Sequence, residues 1–420
     1  MEQLQMRSPD QTFANNHTVL LGYLLFKCWA SVMMKPMNDF KPFDLNHLTE
    51  IRRDLHAHPE LGFEEFRTAG IIEQNLRSIG LEVITGLAGT GVVGTLRNGH
   101  GPTVGLRADM DALAMPETGT PPWSSTCPGK MHACGHDGHT TMLIGAAARL
   151  ASDPPKGTVH FIFQPAEEGR GGAKRMMEEG FAEQFPCDIV FGLHNMPGLA
   201  TDQMAVVVGP QLASSDSWWV TFHGVGTHAA KPHLGRDPVN AAGHFLTALQ
   251  SIPGRIVDPL QPAVVTACTL NAGDENALNV IPDSARIGGT ARAYTPKVRD
   301  QLQDEIGRLA EGTAVTMGIR VEYEFIRRIP PVVNDSKAAS IALAAAQAVS
   351  RDVVTDYPPS TAGDDFAFFG MQAQGAYVWL GNGPAVDGAL HHNTSYDFND
   401  EAIETGVAFW AEAARRALSV

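Results

Sequence analysis

Nine consecutive residues, Met131-His132-Ala133-Cys134-Gly135-His136-Asp137-Gly138-His139, carry three histidines, one cysteine and one aspartate. Thiolate and imidazole are the side chains that bind borderline divalent metals such as zinc. Gly135 lets the backbone turn sharply enough for Cys134 and His136 to face one point. The plain alternative is a His-rich surface loop with Cys134 simply buried. Ligand-type residues that recur further along argue against it. There is no Cys-x-x-Cys pair, which argues against a structural zinc ribbon. A short mixed cluster fits a site completed by distant carboxylates and left partly open for chemistry.

The elements that must position such a site can be read from the chain. Three short apolar stretches, 103–106, 158–163 and 188–192, read as strands. Each delivers polar residues just past its end: Asp109 and Asp111 after the first, Glu167 and Glu168 after the second, His194 after the third. Strands alternating with helices predict a largely parallel α/β sheet covered on both faces. Ligands bind beyond the carboxyl ends of the strands in such sheets, so these residues should converge. Glu167 and Glu168 are neighbours on chain leaving a strand, where successive side chains diverge. One can serve a metal and the other a water molecule. One of Asp109 and Asp111 can orient a ligand histidine or the base. His391 and His392 follow a glycine-rich turn and also face apart, which leaves at most one as a ligand.

Further elements frame these. Helices are expected over 44–57, capped by Asp44 and stopped at Pro59, over 64–79 with Gly80 closing it, and over 139–150. Strands are expected over 81–84 and 91–96. Between 216 and 328 the pattern changes to β-α-β-β-α-β: 217–223, 237–252, 264–270, 284–293, 296–317 and 319–326. That is the ferredoxin-like order. Residues 41–215 and 329–420 then form a discontinuous metal-binding domain, with 216–328 inserted. Helices over 338–350 and 401–418 and a strand over 377–380 return to the first domain.

The chain has 420 residues, 44% of them hydrophobic, enough for two cores. A formal charge of −15 and the lack of a basic stripe argue against nucleic acid as a partner. Five cysteines, Cys28, Cys127, Cys134, Cys187 and Cys268, make no framework; an odd, sparse set suggests a reducing, cytoplasmic setting. Residues 19–34 are apolar but broken by Lys27, too short for a membrane span. Only Arg7 is positive among the first ten residues and no cleavage pattern follows, so secretion is the lesser reading. Residues 1–40 are expected to be an unassigned leader, the fold beginning near Lys41, with Met34 and Met37 as alternative starts.

From about Leu48 to Asp400 the chain resembles the metallo-aminoacylase and carboxypeptidase family that includes hippurate hydrolases and indole-acetyl-amino-acid hydrolases. The resemblance is carried by Asp54-Leu55-His56-Ala57-His58-Pro59-Glu60, the stretch 106–113, the nine residues above, Gln164 to Gly169, Gly192-Leu193-His194, Gly226 to His233, Asn279-Val280-Ile281-Pro282 and Asp364-Asp365-Phe366. No one of these is specific alone; together they are. Asp364 stands where the family more often has glutamate, and His392 where a small residue is common.

That resemblance implies a two-metal catalytic domain, an inserted lid that forms a homodimer or higher oligomer, and hydrolysis of N-acyl or N-aroyl amino acids. It implies Cys134 as the bridging ligand of two divalent ions, with His136, Glu168, His194 and His391 as the others. It makes Glu167 the general base, Asp111 the carboxylate behind the metals, and His228 a lid residue donating to the oxyanion in the partner subunit. Asn279 joins them as a substrate-binding candidate. An acylase also needs a cation for the substrate carboxylate, and Arg292, late on a lid strand, is the candidate. The ions would be zinc or manganese, with cobalt and nickel as alternatives. A dipeptidase or aminopeptidase is the rival enzyme, and a non-catalytic metal-binding protein the rival from another class. Retention of Glu167 argues against the latter, because a binding scaffold needs no base.

Overall fold

The computed structural model describes residues 44–385 and 388–420, which belong to one compact unit. The expectations for residues 1–40 fall outside the described residues. Among those described, no helix is long and apolar enough to cross a membrane.

The chain begins with α1 (Leu45–Ala57), whose first turn is capped by the Asp44 carboxylate accepting from the Asn46 N–H, and α2 (Phe66–Ser78). There follow β1 (Glu82–Leu87), β2 (Gly91–Asn98), β3 (Thr103–Asp109), α3 (His136–Ser152), β4 (Gly157–Gln164), α4 (Gly172–Glu178), α5 (Phe181–Gln184), β5 (Ile189–Met196), β6 (Gln203–Ala205) and β7 (Gly209–Leu212). Next come β8 (Ser215–His223), β9 (Thr227–His228), α6 (Pro238–Leu249), β10 (Ala263–Ala272), β11 (Val280–Ile281), β12 (Ser284–Ala293), α7 (Pro296–Met317) and β13 (Arg320–Ile329). The chain closes with β14 (Val332–Asn334), α8 (Ser336–Val349), β15 (Asp352–Val354), α9 (Ala367–Gly370), β16 (Gln374–Gly381) and α10 (Ala402–Leu418).

Eight strands form one sheet in the order β1-β2-β4-β3-β5-β16-β6-β15. Its centre, β4-β3-β5-β16, is parallel because α3 and α4 carry the chain back between strands. The sheet as a whole is mixed. A tight turn joins β1 to β2, which forces them antiparallel, and β2 also runs antiparallel to β4. The expectation of a mostly parallel sheet therefore holds for the centre and for the edge pair β6–β15, but not for β1, β2 or the β6–β16 pair.

Alternation along the central strands divides the interior into two apolar layers. Phe161, Phe163, Phe191, Leu193, Val378 and Leu380 pack with residues of α1, α2, α3 and α10. Ile162, Val190, Tyr377 and Trp379 face the other way, onto Met176, Phe181 and Phe369. Truncating one buried ring, such as Phe191→Ala, should cost about 3–5 kcal/mol through lost burial and the cavity left behind.

A second, four-stranded sheet is antiparallel throughout, in the order β10-β12-β8-β13. Its elements run β8, α6, β10, β12, α7, β13 along the chain, and they bury a separate apolar cluster around Trp218, Phe222, Phe245, Leu302 and Ile306. A two-stranded ribbon pairs β9 with β11, setting His228 opposite Val280.

Two boundaries differ from expectation where it matters. β5 continues through His194 to Met196, because its ladder with β16 persists to the Met196–Gly381 pair. His194 thus lies inside a strand and not beyond it. Helix α3 begins at His136, so His136, Asp137 and His139 all sit in its first turn.

Candidate metal centre and active site

The Met131–His139 segment is pinned to the end of β3. Leu113 and Met131 exchange backbone hydrogen bonds at 2.9 and 3.0 Å, which sets Cys134 beside the carboxyl ends of the central strands. Gly135 has φ +95°, and a Cβ there would overlap the Asn195 amide and the Tyr396 hydroxyl. Only glycine fits this left-handed, crowded position, and the turn it makes separates Cys134 from the helix that starts at His136.

A group of polar side chains converges here. Cys134 Sγ lies 3.4 Å from His194 Nε2. His136 Nε2 lies 3.8 Å from Asp109 Oδ1 and 4.0 Å from Glu168 Oε1. His392 Nε2 lies 3.2 Å from Glu168 Oε1. Three triads have ligand atoms within 4.8 Å of one another, Cys134–Glu168–His392, His136–Glu167–Glu168 and Glu167–Asp364–Asp365, and so does the quartet Asp109–His136–His139–His194.

The histidines are held by their other nitrogens. His136 Nδ1 lies 3.0 Å from the Asp111 carbonyl and 3.3 Å from its carboxylate. His194 Nδ1 lies 2.8 Å from the Asn195 carbonyl. Both rings therefore turn Nε2 inward, as metal-binding imidazoles do. Asp111 also holds the neighbouring backbone, since its Oδ2 accepts the Glu168 N–H at 3.1 Å.

His391 and His392 both line the cavity over the cluster, but their rings are turned to different partners. His391 Nε2 meets the Asn195 side-chain nitrogen at 3.3 Å and its ring packs on His194 and Tyr396. His392 instead reaches Glu168 and Cys134. The cause is local: His392 has φ +61°, and its N–H donates to the Ala133 carbonyl at 2.8 Å. That bond holds the backbone against the Cys134 segment and swings the second ring of the pair into the cluster.

The electrostatics suit a cation. Burial and neighbouring histidine charge hold His194 well below the usual imidazole range, so it is neutral and able to donate a lone pair. Burial and the Glu168 carboxylate push the Cys134 thiol up. His136 Nε2 is buried without a hydrogen-bond partner, and Glu168 Oε1 is buried with the His392 ring alone facing it at 3.2 Å. Buried polar atoms are rarely left so, and together with a thiol they form the N, O and S donor set of a borderline divalent ion. The residues fit two such ions.

Glu167 has different surroundings. Burial, then the charges of Asp364, Glu168 and Asp365, hold its carboxyl well above the usual range. Behind it Arg107, fully buried, binds Asp109 at 2.8 Å and Asp365 at 3.0 Å, and Gln164 at 2.7 Å. The Tyr377 hydroxyl donates to Asp364. A carboxyl that readily holds a proton, next to a metal-type cluster, is suited to taking and returning one.

A cavity of about 450 Å³ opens over the cluster, lined by Cys134, Glu167, Glu168, His194, Trp379 and His392 and, from the edge of the second sheet, Ser215 and Ile329. Arg292 is half-buried and its Nη1 donates to Ser215 Oγ at 2.7 Å, one residue back from that wall. His228 and Asn279 are not brought to the cavity. They sit together and exposed on the β9–β11 ribbon, where the Asn279 carbonyl accepts the Ala229 N–H at 2.8 Å.

Sequence reasoning missed His139, which bridges Asp109 at 2.6 Å and the Asn195 side chain at 2.8 Å, and the Arg107 platform. The signal for His139 was its spacing of three from His136, one helical turn on. It was hidden because the helix was expected to start later. Arg107 gave no signal, since a fully buried arginine is rare.

Buried carboxylate, imidazole and thiol groups gathered at the carboxyl ends of a central parallel sheet define a metal-dependent hydrolase. The chain belongs to peptidase family M20/M25/M40, whose profile matches residues 105–416. It is 39% identical over 372 residues to hippurate hydrolase of Campylobacter jejuni, covering 88% of this chain and 96% of that protein. It is also 39% identical over 394 residues to an IAA-amino acid hydrolase, ILR1-like 4, of Arabidopsis thaliana, covering 91% and 87%. Among solved structures, the Bacillus subtilis YXEP protein, described as a dinuclear metal binding peptidase from the M20 family, superimposes with a TM-score of 0.78. It is 33% identical and covers 89% of this chain and 98% of its own.

Proposed function

We propose that this chain cleaves the amide bond of N-acyl or N-aroyl amino acids, giving a carboxylic acid and a free amino acid. One observation carries the reading: adjacent carboxylates serve different partners, Glu168 facing His392 and His136 while Glu167 lies against Asp364 and Asp365. The ligands are Cys134, His136, Glu168, His194 and, replacing His391, His392. Two divalent ions held there, with zinc or manganese first among the candidates, would supply a water of lowered pKa and a Lewis acid for the substrate carbonyl. Glu167 takes the proton of the attacking water and returns it to the leaving amine. Asp111 fixes the His136 ring and the Glu168 backbone. Arg292 stands one residue from the cavity wall, where a substrate carboxylate would meet a cation. The relatives' names, hippurate hydrolase and IAA-amino acid hydrolase, support acylated amino acids as the substrate class.

Residues 216–328 act in this reading as a lid and dimerisation domain, inserted between catalytic segments 41–215 and 329–420. The exposed His228 and Asn279 then serve the active site of a second copy in a cytoplasmic homodimer. The test is a steady-state panel of hippurate, acetyl amino acids and unblocked dipeptides, on protein of measured metal content, with and without chelator. Chelator-sensitive turnover of the acylated compounds is expected. Turnover of unblocked dipeptides alone would make the chain a dipeptidase, and none at all on metal-loaded protein would make it a binding protein.

A further inference from the structure

Glu65 occupies the N-cap position of α2 but its side chain does not cap the helix. Glu60 caps it instead, its two carboxylate oxygens accepting the Arg67 and Thr68 N–H groups at 3.0 and 2.8 Å. The Glu65 carboxylate is thereby free to turn inward, where it is wholly buried. One oxygen accepts the Ala166 N–H at 2.8 Å and the other the Thr90 hydroxyl at 2.6 Å.

Ala166 is an unusual partner. It is a buried non-glycine residue with φ +57°, the left-handed region that side chains disfavour. Such a conformation persists only where its surroundings hold it. Three contacts do so: Glu65 on the N–H, the Gly172 N–H on the carbonyl at 3.0 Å, and Gly62 packed so close that a Cβ there would come within 2.9 Å of Ala166. The next residue is Glu167, and beyond it the Glu168 N–H is held by Asp111. Two buried carboxylates therefore grip the backbone on either side of Glu167. Asp111 was expected at the site from the sequence; Glu65 was not.

We infer that Glu65 is a positioning residue: by holding the Ala166 amide it locks the turn that aims Glu167 at the reacting water, while Asp111 holds Glu168 independently. This rests on the amidohydrolase reading given above. Glutamine at position 65 keeps an acceptor for the Ala166 N–H and a partner for Thr90, whereas alanine keeps neither. Aspartate is one methylene too short to span both.

The experiment uses full-length, metal-loaded protein. Glu65→Ala should lower kcat by about 10- to 100-fold, the scale of a misplaced catalytic group, with KM moved by less than about threefold and both metals retained. Glu65→Gln should restore kcat to within about threefold of wild type. Independently of any substrate, hydrogen exchange at the Ala166 amide should be slow in wild type and Glu65→Gln and fast in Glu65→Ala. In an Ala166→Gly background, where the left-handed turn carries no side-chain penalty, removing Glu65 should cost less than it does with alanine present. If Glu65→Ala does not fold, Glu65→Asp carries the same expectations. The inference is overturned by unchanged kcat and exchange in the alanine variant, by a loss of kcat that follows metal content alone, or by a glutamine variant as slow as alanine. A wild type inactive on every acylated compound would remove the amidohydrolase reading while the exchange measurement still decided whether Glu65 holds the turn.

Discussion

Strand β4, inside the large sheet, is buried at every position, whereas β8, inside the small one, alternates half-buried and buried residues along its whole length. The edge strands β10 and β13 of the small sheet are more exposed still. Helices cover both faces of the large sheet and only one face of the small one. The consequence is electrostatic. Polar groups at the strand ends of the large sheet are stripped of water, so a carboxyl such as Glu167 and an imidazole such as His194 are pushed far from their ordinary behaviour. On the small sheet one ion pair is buried, Asp216 with Arg299, while those on its open face lie in solvent, as Arg327 does with Asp300 at 2.6 Å. One region is built to bind cations and move protons; the other offers a surface and an exposed ribbon carrying His228.

The largest effect should come from the two adjacent carboxylates of the buried region. Glu167→Gln is expected to keep both metals and lose about a thousand-fold or more in kcat, the loss of a general base on an activated water. Glu168→Gln should instead lower metal occupancy. Metal analysis beside kcat separates them, and the opposite pattern would mean the two roles are exchanged.

Next in size is the exposed region's contribution. His228→Ala should cost roughly a hundred- to a thousand-fold in kcat with metal content unchanged, the scale of one lost oxyanion donor. If the residue serves a second copy, mixing inactive Glu167→Gln and His228→Ala subunits should restore activity, toward roughly a quarter of wild type when exchange is complete and each mixed dimer has one intact site. Proven subunit exchange without recovery would confine His228 to its own subunit or remove it from catalysis.

A smaller effect distinguishes the neighbouring histidines. His392→Ala should weaken metal binding by the full loss of a ligand, and His391→Ala by no more than about 10- to 100-fold, as expected of an outer partner. Titration with a competing chelator measures both. A greater loss from His391→Ala would return the ligand role to it.

These residues also show how far the sequence could be read. The convergence of Cys134, His136, Glu167, Glu168 and His194 was legible because metal-ligand types recurred near the ends of apolar stretches, and strand polarity then required them to meet. The central parallel strands and the β12 and α7 boundaries were legible from composition and breakers. The way the rings of His391 and His392 turn apart was not, because it hangs on one left-handed residue and a backbone bond to Ala133. Glu65 was hidden for a related reason. A glutamate at the start of an amphipathic helix reads as a helix-dipole partner, and only the fold shows that Glu60 has taken that place.

The last effect is one of stability, and it tests the electrostatic half of the comparison at a buried pair whose carboxylate, Asp137, is the residue after His136. His56 is fully buried, with Nδ1 2.8 Å from Asp137 Oδ2 and Nε2 3.4 Å from Glu117 Oε1. Burial alone would lower its pKa, but Asp137, by charge and hydrogen bond, and Glu117 outweigh it and raise His56 to about 10. The folded chain therefore holds a proton that the unfolded chain releases near the ordinary imidazole value of 6.5. The stability from this pair is fully present below pH 6.5 and is lost as pH rises through about 10. His56→Gln, which cannot titrate, should be less stable than wild type by about 3–5 kcal/mol at pH 6, the usual cost of breaking a buried ion pair. Its deficit should shrink as pH approaches 10, because wild type loses the same interaction there. Denaturant unfolding at fixed free metal, from pH 6 to 10, gives the two curves. Arg327→Gln, at the solvent-exposed pair of the small sheet, should cost about 0.5 kcal/mol or less at every pH in that window. A deficit for His56→Gln that stays constant from pH 6 to 10 would mean that His56 is uncharged in the fold, and that burial outweighs the carboxylates around it.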